Sequence, residues 1–150
     1  MSHYHYTECG LNNVYIEGVH AALDHAGEDS IAIPAIGLLH KVIAEGIVNR
    51  PGKMTGQELK FLRSEMGLTQ ARLGEILKVR LLTVSRWERS ETPIGSAAEM
   101  LIRLLAVEVL GLGKVLGVQS VSEKVSSSVR ARDLHIDGSN PGKYHLLDAA

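Results

Sequence analysis

The segment from residue 68 to residue 89 constrains this chain more than any other part of it. Its sequence is Leu-Thr-Gln-Ala-Arg-Leu-Gly-Glu-Ile-Leu-Lys-Val-Arg-Leu-Leu-Thr-Val-Ser-Arg-Trp-Glu-Arg. Apolar residues at helical spacing on both sides of a short break predict two short helices joined by a tight turn. The second helix carries arginines and short hydroxyl side chains, which suit a helix that lies in the major groove of DNA.

Local signals place this helix pair after another helix. Thr55 and Glu58 have the spacing of a capping box, in which hydroxyl and carboxylate satisfy free backbone N–H groups at a helix start. Gly67 is expected to end that first helix, and Thr69 to cap the second. The third helix is expected at about 81–89, so the three form one bundle.

The spacing within the third helix separates an inner side from an outer side. Val84 and Trp87 are three residues apart and are expected to point into the bundle. Gln70, at the start of the second helix, is expected to place its amide near a phosphate. The residues predicted to contact DNA are Thr69, Gln70, Lys78, Arg80, Leu81, Leu82, Thr83, Ser85, Arg86 and Arg89.

These candidates have different expected roles. Arg86 has the donor geometry for a bidentate pair with guanine O6 and N7. The hydroxyls of Thr83 and Ser85 suit either a base edge or a phosphate. Lys78 and Arg89 are expected to be charges that position the protein on the backbone, without sequence preference.

Charge along the chain agrees with this assignment. The 150 residues have a net charge of −1. Residues 50–92 contain nine Lys and Arg against five Asp and Glu, whereas residues 1–49 contain one against six. Positive charge is therefore concentrated on the segment that is expected to meet phosphates.

A fourth helix is expected to begin at a second capping box, formed by Ser96 and Glu99, and to end near Leu110. It is more apolar than one buried stripe requires. One explanation is a helix buried on all sides. The other, which we favour, is a helix with one face on its own bundle and one on a second copy of the chain. The predicted dimer interface is Leu101, Leu104, Leu105 and Val109.

The remaining segments predict a small β-rich part. Alternating residues 13–17 and 30–33 are typical of short strands, and helical spacing follows Pro34. Two short alternating runs, 132–136 and 143–147, flank turn-forming residues and predict a hairpin that docks on the N-terminal strands. The expected organisation is an α+β module at 1–50 with a helix at about 35–48, a helix-turn-helix and dimerisation domain at 54–112, and an extension at 113–150.

The segment around residues 61–88 resembles the helix-turn-helix of the phage repressor and Cro type, the XRE family. The resemblance rests on Phe-Leu-Arg at 61–63, Gly-Leu-Thr-Gln at 67–70 and Thr-Val-Ser-Arg-Trp-Glu at 83–88. It implies a mainly α fold, and a structural ion pair between Arg63 and Glu88. Lys78 stands where the family usually has Gly. Leu81 and Leu82 stand where it usually has polar side chains; they are expected to touch thymine methyl groups or a neighbouring protein segment.

The first 30 residues of this chain echo a zinc ribbon that has lost its ligands. With the connecting helix and the helix-turn-helix that follow, the layout of the whole chain resembles MqsA-type antitoxins. Cys9 is in place, but Tyr6, Leu23 and Ala26 stand at the other three ligand positions. Since tetrahedral zinc needs four ligands, we expect neither metal nor cofactor. The other arrangement considered joins Cys9 with histidines, and the candidates are His3, His5, His20 and His25.

These observations favour a sequence-specific, double-stranded DNA-binding regulator, expected to be a homodimeric repressor. The alternative, implied by the second resemblance, is an antitoxin-like module that neutralises a partner toxin through residues 1–50 and regulates its own operon. We expect no enzyme activity, because the sequence has no nucleophile–base pair or phosphate loop, and His40 fits a helix face. The absence of an apolar run long enough for a membrane span and the single cysteine favour the cytoplasm.

Overall fold

The chain divides into two compact units. The computed structural model describes residues 3–18, 21–23, 29–31, 33–113, 117–126 and 133–147. Unit 1 consists of residues 1–43 and 132–150, and unit 2 of residues 44–131. The described part of the chain is mainly helical with a small four-stranded sheet, which confirms the coarse fold class expected from the sequence.

Unit 1 is built on the four-stranded sheet, in which the two ends of the chain meet. Its strands are β1 (His3–His5), β2 (Val14–Glu17), β5 (Leu134–Asp137) and β6 (His145–Leu146), in the order β1-β2-β5-β6. β5 and β6 form an antiparallel hairpin, and β5 pairs in parallel with β2. The predicted C-terminal hairpin and its docking on an N-terminal strand are therefore confirmed. Two further strands, β3 (Ala21–Leu23) and β4 (Asp29–Ile31), pair with each other.

Alternation along the strands gives the main sheet one buried face. Val14 and Ile16 on β2, and Leu134 and Ile136 on β5, are buried, as the two-residue period of a strand requires. Buried Tyr144 donates a hydrogen bond to the Pro34 carbonyl oxygen (2.6 Å). Burial raises the pKa of its hydroxyl above the usual value.

The helices run in sequence through the rest of the chain. They are α1 (Ile36–Asn49), α2 (Gly56–Glu65), α3 (Gln70–Leu77), α4 (Leu81–Glu88), α5 (Ser96–Leu110) and α6 (Val118–Ser126). The boundary between the units falls within α1, after Ile43. In unit 1, His40 on α1 shares a hydrogen bond with the buried Tyr6 hydroxyl (2.8 Å). None of the described helices is long and apolar enough to cross a membrane.

Two helix starts show how local signals compete with tertiary contacts. The capping box at Thr55 and Glu58 is present, and Glu58 also forms a buried salt bridge with Arg50 (2.6 Å). The second predicted capping box is wrong. α5 begins after Gly95 without a side-chain cap, and Glu99 points instead into unit 2, where it accepts a hydrogen bond from the Met54 N–H (3.1 Å).

The partner of Glu99 is Arg103, a fully buried arginine on α5. Its guanidinium donates to Glu99 and to three backbone carbonyl oxygens, one in the last turn of α1 and two in the segment that follows it. Those acceptors are Val48 (3.2 Å), Arg50 (2.7 Å) and Gly52 (2.5 Å). Arg103 thus fixes the path of the chain between α1 and α2.

Candidate nucleic-acid interface

A buried polar network fixes α2, α3 and α4 relative to one another. Arg63 on α2 forms a bidentate salt bridge with Glu88 on α4, with Nε–Oε2 at 2.5 Å and Nη2–Oε1 at 3.0 Å. Arg63 also donates to the Leu68 carbonyl oxygen, and the Gln70 amide on α3 donates to Glu88 Oε1 (3.0 Å). Fork-to-carboxylate geometry is specific in direction, so the network sets the position of α4 on the other two helices.

The turn between α3 and α4 is tight and has a left-handed residue. Lys78 caps α3 with φ 62° and ψ 39°, a conformation that glycine adopts without cost. Gly74 lies directly beneath the turn: a Cβ there would stand 2.8 Å from the Val79 carbonyl oxygen. The missing side chain therefore allows the turn to approach α3.

The side of α4 that faces away from the bundle is open to solvent. Val84, Trp87 and Glu88 are buried. The opposite stripe consists of Leu81, Leu82, Ser85, Arg86 and Arg89, of which all but the half-buried Ser85 are exposed. These positions are one, four, five and eight residues beyond the first, so they share one face of the helix. Thr83 lies beside the stripe and is half-buried.

Several cations lie on or beside this stripe. Within the part of the chain that the structure describes, the side chains of Lys78, Arg80 and Arg86 make no hydrogen bond or salt bridge. Arg89 differs, because it forms an exposed salt bridge with Glu91 (2.9 Å). The only acidic residue of α4, Glu88, is buried in the network with Arg63. The surface around the stripe is therefore cationic.

Two predicted contact residues have structural partners. The Thr69 hydroxyl accepts a hydrogen bond from the Arg72 N–H and caps α3. The Gln70 side-chain amide donates to Glu88 and is not directed outward to a phosphate. What Gln70 still offers to a phosphate at the start of α3 is its backbone N–H. The structure thus brings together on one surface the cations, leucines and hydroxyls predicted on α4. Gln70 belongs to the network beneath them.

α5 carries a second exposed surface, which is apolar. Leu101 and Val109 are 51% and 48% exposed, and Leu104 and Leu105 are half-buried. An open groove of about 380 Å³ lies between α3 and α5. It is lined by Ile76, Leu77, Leu101, Leu104, Leu105 and Glu108. Half of α5 is therefore packed in unit 2, and the other half is an uncovered apolar surface.

Sequence reasoning missed three residues that position the interface. Gly74 carries a usable signal, since a glycine inside a helical pattern often marks close backbone approach. Arg103 and Glu99 are four apart on a helix, which ordinarily indicates an exposed ion pair. Their burial depends on the segment 48–54, whose path the sequence does not specify.

The solvent side of the unit 1 sheet has a different character. Tyr15 lies in a stack between the rings of His5 (centroids 4.5 Å apart) and His135 (5.3 Å). His135 Nδ1 is 3.1 Å from Glu17 Oε1, and Asp137 is on the same face. Within the described residues, no three His, Cys, Asp or Glu side chains are placed to hold a metal ion. His20, His25 and Ala26, named above for the zinc-ribbon interpretation, lie outside the described residues.

The two units have opposite net charge. Unit 2 contains 13 Lys and Arg and nine Asp and Glu, whereas unit 1 contains three and eight. The positive unit is the one that contains α4.

Comparisons of the chain with protein-family models, with curated proteins and with solved structures find no match.

Proposed function

We propose that this chain is a sequence-specific regulator that binds double-stranded DNA through α4. The observation that supports this most is the open stripe of α4, which contains Arg86 and lies beside Lys78 and Arg80. Among the described residues, these three cations have no partner. The Arg63–Glu88 network holds α4 in place from the buried side. Unpaired cations on a rigid helix contribute affinity for phosphates, and Arg86 adds base recognition.

The dimensions of α4 are compatible with the groove. An α-helix with its side chains is about 10–12 Å in diameter, and the major groove of B-DNA is about 12 Å wide. Leu81 and Leu82 are at the N-terminal end of α4, the end that reaches base edges in helix-turn-helix proteins. Arg89 is at the other end, so it meets the sugar-phosphate backbone.

The proposal includes a homodimer formed through α5. Leu101 and Val109 are exposed side by side with half-buried Leu104 and Leu105, next to the open groove. In a twofold dimer the same surface of each subunit meets its copy, and an exposed apolar surface of this kind suits such an interface. Two copies would place their α4 helices in successive major grooves, and the operator would have twofold symmetry.

Binding to the DNA upstream of the chain's own gene tests this function. Fluorescence anisotropy at several salt concentrations should show that the logarithm of the binding constant falls linearly with the logarithm of the salt concentration, because binding releases counterions from the DNA. Arg86→Ala should cost about 1–3 kcal/mol on the operator and reduce the preference over random duplex. Arg89→Ala should weaken binding to every duplex alike and lower the slope of affinity against salt concentration. Arg89 forms a salt bridge with Glu91 in the free protein, so the loss includes the effect of breaking this pair.

Lys60→Ala provides a matched control, because Lys60 is exposed on α2, outside the α4 stripe. It removes one positive charge and should change affinity least. Wild-type protein that binds neither operator nor random duplex at low salt contradicts the proposed function. Equal losses on both duplexes from Arg86→Ala contradict its role at a base.

A second candidate is a protein-binding role for unit 1, as in an antitoxin. It is favoured by the solvent face of the sheet, where the Tyr15 stack lies beside Glu17 and Asp137, in a unit of negative net charge. Such a face repels nucleic acid and suits a basic protein surface. Co-purification with the product of the adjacent gene tests it: Tyr15→Asp should abolish the complex, whereas Arg86→Ala should leave it intact.

A further inference from the structure

Leu81 and Leu82 are the least expected side chains on the α4 stripe. They are 50% and 47% exposed, so about half of the surface of each leucine is open to solvent. They stand between unpaired Arg80 and Arg86, in the first turn of the helix. Two adjacent exposed leucines expose apolar area that a solvated face has no need of, and the positive charges around them suit a partner that carries negative charge.

We propose that Leu81 and Leu82 recognise the 5-methyl groups of thymines in the operator half-site. This inference rests on the proposed DNA-binding function and adds the chemical feature of the sequence that is recognised. On the edges that bases present in the major groove, the thymine methyl is the one apolar group that projects from the ring, and the groups that distinguish the other bases are hydrogen-bond donors and acceptors. Cytosine has only a hydrogen at the same ring position, so a leucine gains most contact area against thymine, or against cytosine methylated there.

The same side chains also select against other bases. A leucine placed on the edge of cytosine or guanine removes water from a donor or acceptor and offers no hydrogen bond in return. Discrimination thus comes from an unfavourable contact with the wrong base as well as from a favourable contact with the methyl group. This differs from Arg86, whose guanidinium recognises guanine by two hydrogen bonds.

Helix geometry relates the two kinds of recognition. Leu82 and Arg86 are four residues apart on one face, a rise of about 6 Å. Successive base pairs are about 3.4 Å apart along the duplex axis. The thymines contacted by the leucines should therefore lie on the order of two base pairs from the guanine contacted by Arg86.

Replacing thymine by uracil tests the proposal, because it removes the methyl group and keeps every hydrogen-bonding atom. The probe is the duplex upstream of the gene, with each thymine of the half-site changed to uracil in turn. One or two positions should lose about fourfold in affinity, the loss expected for one methyl group returned to water. Restoring the methyl by 5-methylcytosine at a cytosine placed there should recover part of the affinity.

Protein variants link the effect to the two leucines. Leu81→Ala and Leu82→Ala should bind the thymine duplex about fourfold to tenfold more weakly and should no longer distinguish thymine from uracil. Arg86→Ala should bind more weakly and keep the distinction. Because both leucines are half exposed, their variants should unfold at the wild-type temperature, and circular dichroism checks this.

The outcomes separate this inference from the proposed function. If the wild type binds the operator in a salt-dependent manner but ignores every uracil substitution, methyl recognition is wrong and DNA binding stands. If both leucine variants keep the full thymine preference, another group recognises the methyl and the assignment to Leu81 and Leu82 is wrong. If the wild type binds no duplex, both fail together.

Discussion

At the scale of single residues, the salt bridge between Arg63 and Glu88 has the clearest energetic role. Both side chains are largely buried, and each has further hydrogen bonds, to Leu68 and Gln70. A buried pair contributes modest net stability, but removing one partner leaves an uncompensated charge away from water. The pair therefore acts by penalising any arrangement in which α2, α3 and α4 separate.

Arg63→Met should lower the free energy of unfolding by about 2–4 kcal/mol, because Glu88 is left with a single neutral donor. Urea unfolding followed by circular dichroism measures this. Arg72→Met is the matched control, since it removes an arginine from an exposed salt bridge with Glu75. The control should change stability by less than about 0.5 kcal/mol. Similar losses in the two variants would mean that the buried pair has no special role.

Lys78→Gly should stabilise the protein by about 0.5–1 kcal/mol, because glycine adopts the left-handed conformation without steric cost. Thermal unfolding measures the effect. Lys78→Ala removes the same charge and keeps the Cβ, so it should give no gain. A decrease in stability with glycine would show that the Lys78 side chain contributes contacts that outweigh the backbone strain. The glycine variant should also bind all DNA more weakly, since one unpaired cation is lost.

These residues also show the limits of sequence reasoning at this scale. The pairing of Arg63 with Glu88 could be expected from the resemblance to a known helix-turn-helix, across 25 positions. The direction of the Gln70 amide could not. Its position at the first turn of α3 allows it to face outward to a phosphate or inward to Glu88. The choice depends on how closely α3 approaches α4, which in turn depends on Gly74.

At the scale of elements, a capping-box sequence predicts a helix start only where the tertiary fold leaves its carboxylate at that start. The Thr55 capping box forms because Glu58 Oε1 accepts from the Thr55 N–H and from the Arg50 guanidinium at the same time. The equivalent spacing at Ser96 and Glu99 fails because Glu99 is directed instead to the Arg103 guanidinium and the Met54 N–H. The signal in the sequence was Arg103 itself, a positive charge four residues after Glu99 that could draw the carboxylate away from the helix start.

Arg103→Lys should destabilise unit 2 by about 2–4 kcal/mol, although the charge is kept. An ammonium has three donors at one point, whereas the guanidinium spans Glu99 and three carbonyl oxygens in different directions. The Met54 N–H donates a hydrogen bond to Glu99. In the variant, this amide should lose more of its protection against hydrogen exchange than the amides within α3. Uniform change throughout unit 2 would contradict a local role for Arg103 at the segment 48–52.

At the scale of the whole molecule, the C-terminal β-hairpin could be predicted from the sequence. The position at which the chain divides into two compact units could not. Turn-forming residues between two alternating runs marked β5 and β6, and a lone hairpin is too weak to stand by itself. Its docking on an N-terminal strand could therefore be expected, but the parallel direction of its pairing with β2 could not, because alternating apolar residues suit either direction. The boundary inside α1 has no sequence signal, since helical periodicity continues across Ile43.

Sedimentation equilibrium should show two chains per particle for the wild type. Leu101→Asp should give single chains, because a carboxylate would be buried against a second apolar surface. Leu81→Asp is the matched control: that leucine is equally exposed but lies on α4, so the dimer should persist while DNA binding is lost. Wild-type protein that sediments as one chain at high concentration contradicts the proposed dimer.

The parallel pairing of β2 with β5 has a consequence for biosynthesis. The neighbour that completes the sheet beside residues 14–17 is not translated until residues 134–137 have been made. Residues 44–131 form a continuous stretch, so the ribosome delivers them as a complete folding unit before it makes the strand that residues 14–17 pair with. Until residues 134–137 are made, β2 has an open hydrogen-bonding edge, and a chaperone that shields such edges would act on the early strands of this protein rather than on residues 44–131.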